Sequence, residues 1–137
     1  MNINDQLNSP WAYDVDPNKL DTFEQKCKWL EAMLSGPCGI FKQNGEPSLL
    51  NQRALIARVH GLGIVINPKE HSPPHFHVKY SGNNISIAIS DCSILKGKIG
   101  NREYELIKYW YAYSKKDLVK KWNETRPTNC VVGKIKE

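Results

Sequence analysis

Two runs, His75-Phe76-His77-Val78-Lys79-Tyr80 and Asn84-Ile85-Ser86-Ile87-Ala88-Ile89, alternate in side-chain character residue by residue, and Gly82-Asn83-Asn84 lies where they meet. A period of two marks a strand, whose successive side chains point to opposite faces, while Gly and Asn tolerate the backbone angles of a tight turn. The runs therefore predict an antiparallel pair, with Phe76 and Val78 on one face and His75, His77 and Lys79 on the other. Upstream, Leu62-Gly63-Ile64-Val65-Ile66 is a short apolar run that extends the pair to a meander.

Helical patterns flank this segment. Asp16-Pro17 predicts a helix start, and Leu20, Phe23, Cys27, Leu30 and Leu34 form one apolar stripe from there. Ser35-Gly36-Pro37 ends it, with Gly36 expected in a left-handed cap. Trp29 and Met33 widen the apolar face, which suits either core packing or the docking of a partner protein. Between Ile40-Phe41 and Leu49-Leu50, Asn44-Gly45 signals a hairpin turn, but Pro47 weakens the second strand and the stretch reads as a linker. Beyond the sheet, Asn101 caps a helix bearing Leu106, Trp110 and Tyr113. Ser114-Lys115-Lys116-Asp117 then reads as a capping box that opens a second helix, with Leu118 and Trp122 on one face.

The expected fold is α+β: a small antiparallel sheet of three or four strands, two C-terminal helices and an added N-terminal helix. The 137 residues divide into an N-terminal extension and linker (1–53), an α+β domain (54–126) and a C-terminal tail (127–137). Nowhere do roughly 18 apolar residues run together, and the polar start Met1-Asn2-Ile3-Asn4-Asp5-Gln6 lacks a signal-peptide core, so no membrane partner and a cytoplasmic location are expected. Cys27, Cys38, Cys92 and Cys130 show no Cys-x-x-Cys pair and read as reduced thiols. Residues 1–60 hold 6 Lys/Arg against 7 Asp/Glu, while residues 61–137 hold 13 against 7. A basic second half raises RNA as a partner, since Lys and Arg displace phosphate counterions.

Three of the four histidines fall within Glu70-His71-Ser72-Pro73-Pro74-His75-Phe76-His77. On a strand, His75 and His77 share a face with Cα atoms roughly 7 Å apart, and Pro73-Pro74 stiffens the approach from His71. In one reading His71, His75 and His77 are catalytic, exchanging protons near neutral pH as cleavage of RNA through its 2′-hydroxyl requires, with Glu70 orienting an imidazole. That reading needs no metal and no cofactor. Lys79, Lys96 and Lys98 are then the nucleic-acid-binding residues. In another, the same imidazoles and Glu70 hold a divalent metal. In a third, the run is a rigid strand entry whose polar face is simply solvated.

His71-Ser72-Pro73-Pro74-His75-Phe76-His77, followed by Gly97-Lys98, Trp110 and the Leu118-to-Trp122 spacing, resembles the small bacterial and phage proteins grouped as domain of unknown function 4160. The resemblance spans about His60 to Glu124. Here Glu70 stands where the family commonly has Asp, Ile99-Gly100-Asn101 stands where a Pro often follows Gly-Lys, and residues 1–50 lie outside. The resemblance implies a sheet with C-terminal helices and gene pairs of toxin–antitoxin type. Joined to the histidine cluster, the basic second half and the wide apolar face of the N-terminal helix, it gives as the expected function a toxin-like effector of a toxin–antitoxin or phage-defence system, acting on RNA and held by a cognate protein through that helix. The alternatives are a non-catalytic adaptor module and a metal-dependent enzyme.

Overall fold

A computed structural model describes residues 2–36, 38–43, 45–51, 62–66, 73–125 and 135. The chain divides into two compact units, residues 1–60 with 100–113, and residues 61–99 with 114–137. The α+β class holds, and one element, the long last helix, contributes to both.

In the first unit, Asn2 caps the short helix α1 (Ile3–Leu7) by accepting the Asp5 N–H at 2.9 Å. Asp16 caps as the sequence suggests, but it closes only a 3-10 turn, Pro17–Lys19. The helix proper, α2 (Phe23–Ser35), starts six residues later. Thr22 and Gln25 form a reciprocal capping box there: Thr22 Oγ1 accepts the Gln25 N–H at 3.1 Å and Gln25 Oε1 accepts the Thr22 N–H at 3.2 Å. Two orphan N–H groups satisfied together outweigh the single bond that Asp16 makes. At the other end Gly36 is extended, at φ −95 and ψ 172, rather than left-handed. Its lack of a side chain serves a close approach instead, because a Cβ there would lie 2.6 Å from the Ala32 carbonyl oxygen.

The C-terminal carbonyls of α2 are satisfied from a distance. Arg102 Nη2 donates to Met33 O (3.1 Å) and Gly36 O (2.6 Å), Nη1 to Leu34 O (3.0 Å), and Nε to Cys38 O (2.7 Å). A guanidinium fork therefore does the work that a left-handed glycine cap performs elsewhere.

The expected linker holds a strand pair instead: β1 (Cys38–Gln43) pairs antiparallel with β2 (Glu46–Asn51), in the register Gln43↔Glu46 to Cys38↔Asn51. Pro47 is accommodated because a two-stranded sheet has only edge strands, where a missing N–H need break no ladder bond.

The second unit holds the sheet β3 (Gly63–Val65), β4 (His75–Tyr80), β5 (Asn83–Ala88) and β6 (Ile94–Lys96), paired antiparallel in chain order. The β4–β5 turn comes one residue earlier than expected, at Ser81 (φ 50) and Gly82 (φ 80), the positive pair that a tight two-residue hairpin demands. Phe76, Val78, Ile85 and Ile87 are fully buried and form the apolar face. Between β5 and β6 the register shifts, pairing Ser86 with Lys96 and Ile87 with Ile94, which leaves Leu95 as the extra residue of a bulge.

The two expected C-terminal helices are one, α3 (Asn101–Glu124). Ser114 is internal to it and fully buried, so its capping-box pattern is not used. Leu106, Trp110, Ser114, Leu118 and Trp122 recur every four residues and are all buried, one stripe that runs unbroken through the supposed boundary. In the first unit, Trp110 Nε1 donates to Lys26 O at 2.8 Å, and Tyr109 and Tyr113 pack on Trp29 with ring centroids 6.0 and 5.6 Å away. Trp29 and Met33 are fully buried in the same unit, so the wide apolar face of α2 is core rather than an open docking surface. Among the described residues, no helix is long and apolar enough to cross a membrane. Cys27, Cys38 and Cys92 form no disulfide.

Candidate functional site

Glu70 and His71 lie outside the described residues, so the site is built here from Pro73 onward. A proline offers no N–H, and the pair uses its acceptors: Pro74 O takes the Ile89 N–H at 3.0 Å, continuing the β4–β5 ladder past its end. Pro73 O lies 2.8 Å from His75 Nδ1. A carbonyl oxygen only accepts, so Nδ1 carries the proton, and the lone pair of the neutral ring is on Nε2. The two-proline entry thereby sets both the position of β4 and the tautomer of its first histidine.

His75 is 8% exposed, its ring tilted against Trp122 at 6.3 Å between centroids. The His77 ring stands edge-on to it, with centroids 5.0 Å apart and planes at 76°. His77 itself is half-buried, and its Nδ1 lies 3.2 Å from Ser86 Oγ, directly across the β4–β5 ladder. Along β4 the polar face thus passes from buried His75, through His77, to exposed Lys79.

Across the sheet the register carries the same face further. His77 opposes Ser86 and Ser86 opposes Lys96, so one row holds an imidazole, a hydroxyl and an exposed ammonium. Lys79 lies two residues along β4 from His77 and opposes Asn84. Of the expected site residues, then, His75, His77, Lys79 and Lys96 share this face. Lys98 is exposed beyond the end of β6.

Neither Ser86 nor Trp122 was expected at the site from the sequence. Ser86 carries a signal, a polar residue in phase on the neighbouring strand, but that signal becomes specific only once the register is known. Trp122 carries none, since a Trp at helical spacing looks like any core residue. Among the described residues, no three His, Cys, Asp or Glu side chains converge as metal ligands would.

Residues 61–123 match the family model described as domain of unknown function, DUF4160. Over that stretch the chain carries a DUF4160 domain. No curated protein and no solved structure matches the chain. The match takes in the whole four-stranded sheet, His75 and His77, and α3 as far as Asn123, while α1, α2 and the β1–β2 hairpin precede it.

Proposed function

We propose that the polar face of the DUF4160 sheet is an acid–base site for phosphodiester chemistry on RNA, and that the protein is a toxin-like effector normally held in check by a cognate partner. The observation that carries this reading is the imidazole pair of His75 and His77, at 5.0 Å, on a face that also presents Lys79 and Lys96. Lys79 and Lys96 attract and seat the phosphate. His77, reachable from solvent, transfers protons to and from the substrate oxygens near neutral pH. His75, buried between Trp122 and His77 with its tautomer set by Pro73, positions the ring of His77.

The test is cleavage of an end-labelled RNA by the purified full chain, with and without a chelator. The reading expects cleavage that survives chelation, leaves 2′,3′-cyclic phosphate ends and falls at least about a hundredfold in His77→Gln, the usual worth of a proton-transfer group. Lys96→Ala should weaken RNA binding and flatten its salt dependence. Cleavage abolished by the chelator would move the site to metal chemistry, and equal activity in His77→Gln would remove the histidine from the reaction.

A further inference from the structure

A cavity of about 410 Å³ opens in the first unit, between the β1–β2 hairpin and the first half of α3, remote in sequence from the histidine run. Its aromatic lining is Tyr109 and Tyr113, edge to face with centroids 5.7 Å apart and backed by fully buried Trp29. Pro47 lines it from the hairpin, and the charged residues at its edge are Glu46, Glu105 and Lys108. The size is that of a small-molecule site, and aromatic walls with a few convergent polar groups are the usual composition of one.

The chemistry of the lining selects the ligand. The ammonium of Lys108 is already engaged, 2.8 Å from Glu105 Oε1 and 4.8 Å from the centre of the Tyr104 ring. What the cavity offers an incoming group is therefore the aromatic side chains of two tyrosines and the carboxylate of Glu46. Burial, and next the neighbouring Tyr113, push the Tyr109 hydroxyl up to about 12, so Tyr109 is a neutral ring at physiological pH. An anion would meet a carboxylate and aromatic walls together, and a neutral apolar molecule would leave the carboxylate of Glu46 without a partner. An organic cation satisfies both features, by ion pairing and by cation–π contact. We infer that this cavity binds a small alkylammonium ligand of the diamine or polyamine class, with Glu46 as the charge partner and Tyr109 and Tyr113 as the aromatic walls.

The net charge of +5 makes this inference sharp, because the protein as a whole repels cations and any polyamine it holds must be held locally. Isothermal titration of the full chain with putrescine, spermidine, butane-1,4-diol and succinate tests it. The expected result is saturable binding of putrescine and spermidine alone, weakened about tenfold in Tyr113→Leu and in Glu46→Gln, which is about 1.4 kcal/mol each. Glu46 is exposed on the hairpin, so its variant should fold even if Tyr113→Leu does not. Diol bound as tightly as putrescine would reduce the cavity to an apolar hole. Unchanged putrescine affinity in Glu46→Gln, or no binding of either amine, would overturn the assignment.

Discussion

Arg102 commits its whole guanidinium to closing the end of one helix: four backbone carbonyls between Met33 and Cys38 accept from it, and Glu103 Oε2 lies 3.0 Å from Nη1. Lysine has no planar fork and could reach only part of this set. Arg102→Ala should therefore cost about 3 kcal/mol in urea unfolding, with Arg102→Lys recovering less than half, since several buried acceptors lose their donors at once. A second residue-scale expectation concerns Cys38, which is fully buried with its thiol donating to Met33 O at 3.1 Å. Burial pushes this thiol up to about 11, against the partial opposition of Arg102. A raised value in the folded state means that stability is intact below the ordinary thiol range and is lost as pH climbs from about 9 through about 11. Denaturation midpoints measured across that range should fall in the wild type and fall less steeply in Cys38→Ala, the residual slope belonging to Tyr13 and Tyr109, whose hydroxyls burial also raises. The two histidines should also separate in stability. His77→Gln, on a half-buried side chain, should change stability by less than about 1 kcal/mol, whereas His75→Gln disturbs a packed ring held by Pro73 and Trp122 and should cost more.

At the scale of elements, α3 shows how a local signal yields to a longer one. Ser114-Lys115-Lys116-Asp117 satisfies a capping-box pattern, yet no Gly or Pro interrupts residues 101–124, and the four-residue stripe through Ser114 gains burial only if the helix continues. The consequence is a buried hydroxyl: Ser114 Oγ has no hydrogen-bond partner among the described residues. Ser114→Ala removes that polar atom and improves helix propensity, so thermal and urea unfolding should show a gain of about 1 kcal/mol. A loss instead would mean that the hydroxyl does have a partner, such as a buried water. At the end of β6 the constraint is steric. Gly97 sits at φ +96, and a Cβ there would lie 2.7 Å from the Asn84 carbonyl oxygen and 2.8 Å from Ile85 Cγ2. Backbone cannot move aside as a flexible side chain can, so Gly97→Ala should destabilise by more than about 2 kcal/mol in the same assay. The Gly97-Lys98 element of the family resemblance thus has a structural reason on its glycine.

For the molecule as a whole, the N-terminal segment is less separable than the sequence suggests. Residues 101–113 of α3 belong with residues 1–60, where Trp110 bonds to Lys26 and Trp29 takes the rings of Tyr109 and Tyr113. Deleting residues 1–50 would bare that apolar surface, so the truncated chain should lose helical signal in circular dichroism or aggregate, even though the DUF4160 match begins only at residue 61. A truncated chain with full helicity and cooperative unfolding would show that the family segment folds unaided. The sequence by itself determined the α+β class, the β4–β5 pairing, the resemblance of its second half to DUF4160 and the two-faced character of His75 to Tyr80, because a period of two and a short turn act over neighbouring residues. Tertiary structure alone decided that Arg102 caps a helix 66 residues upstream at Gly36, that His75 is buried on Trp122 while His77 stays reachable, and that Ser86 and Lys96 join His77 in one row. Those outcomes depend on which distant groups become neighbours once register and packing are set, and nothing in the local order of residues encodes that.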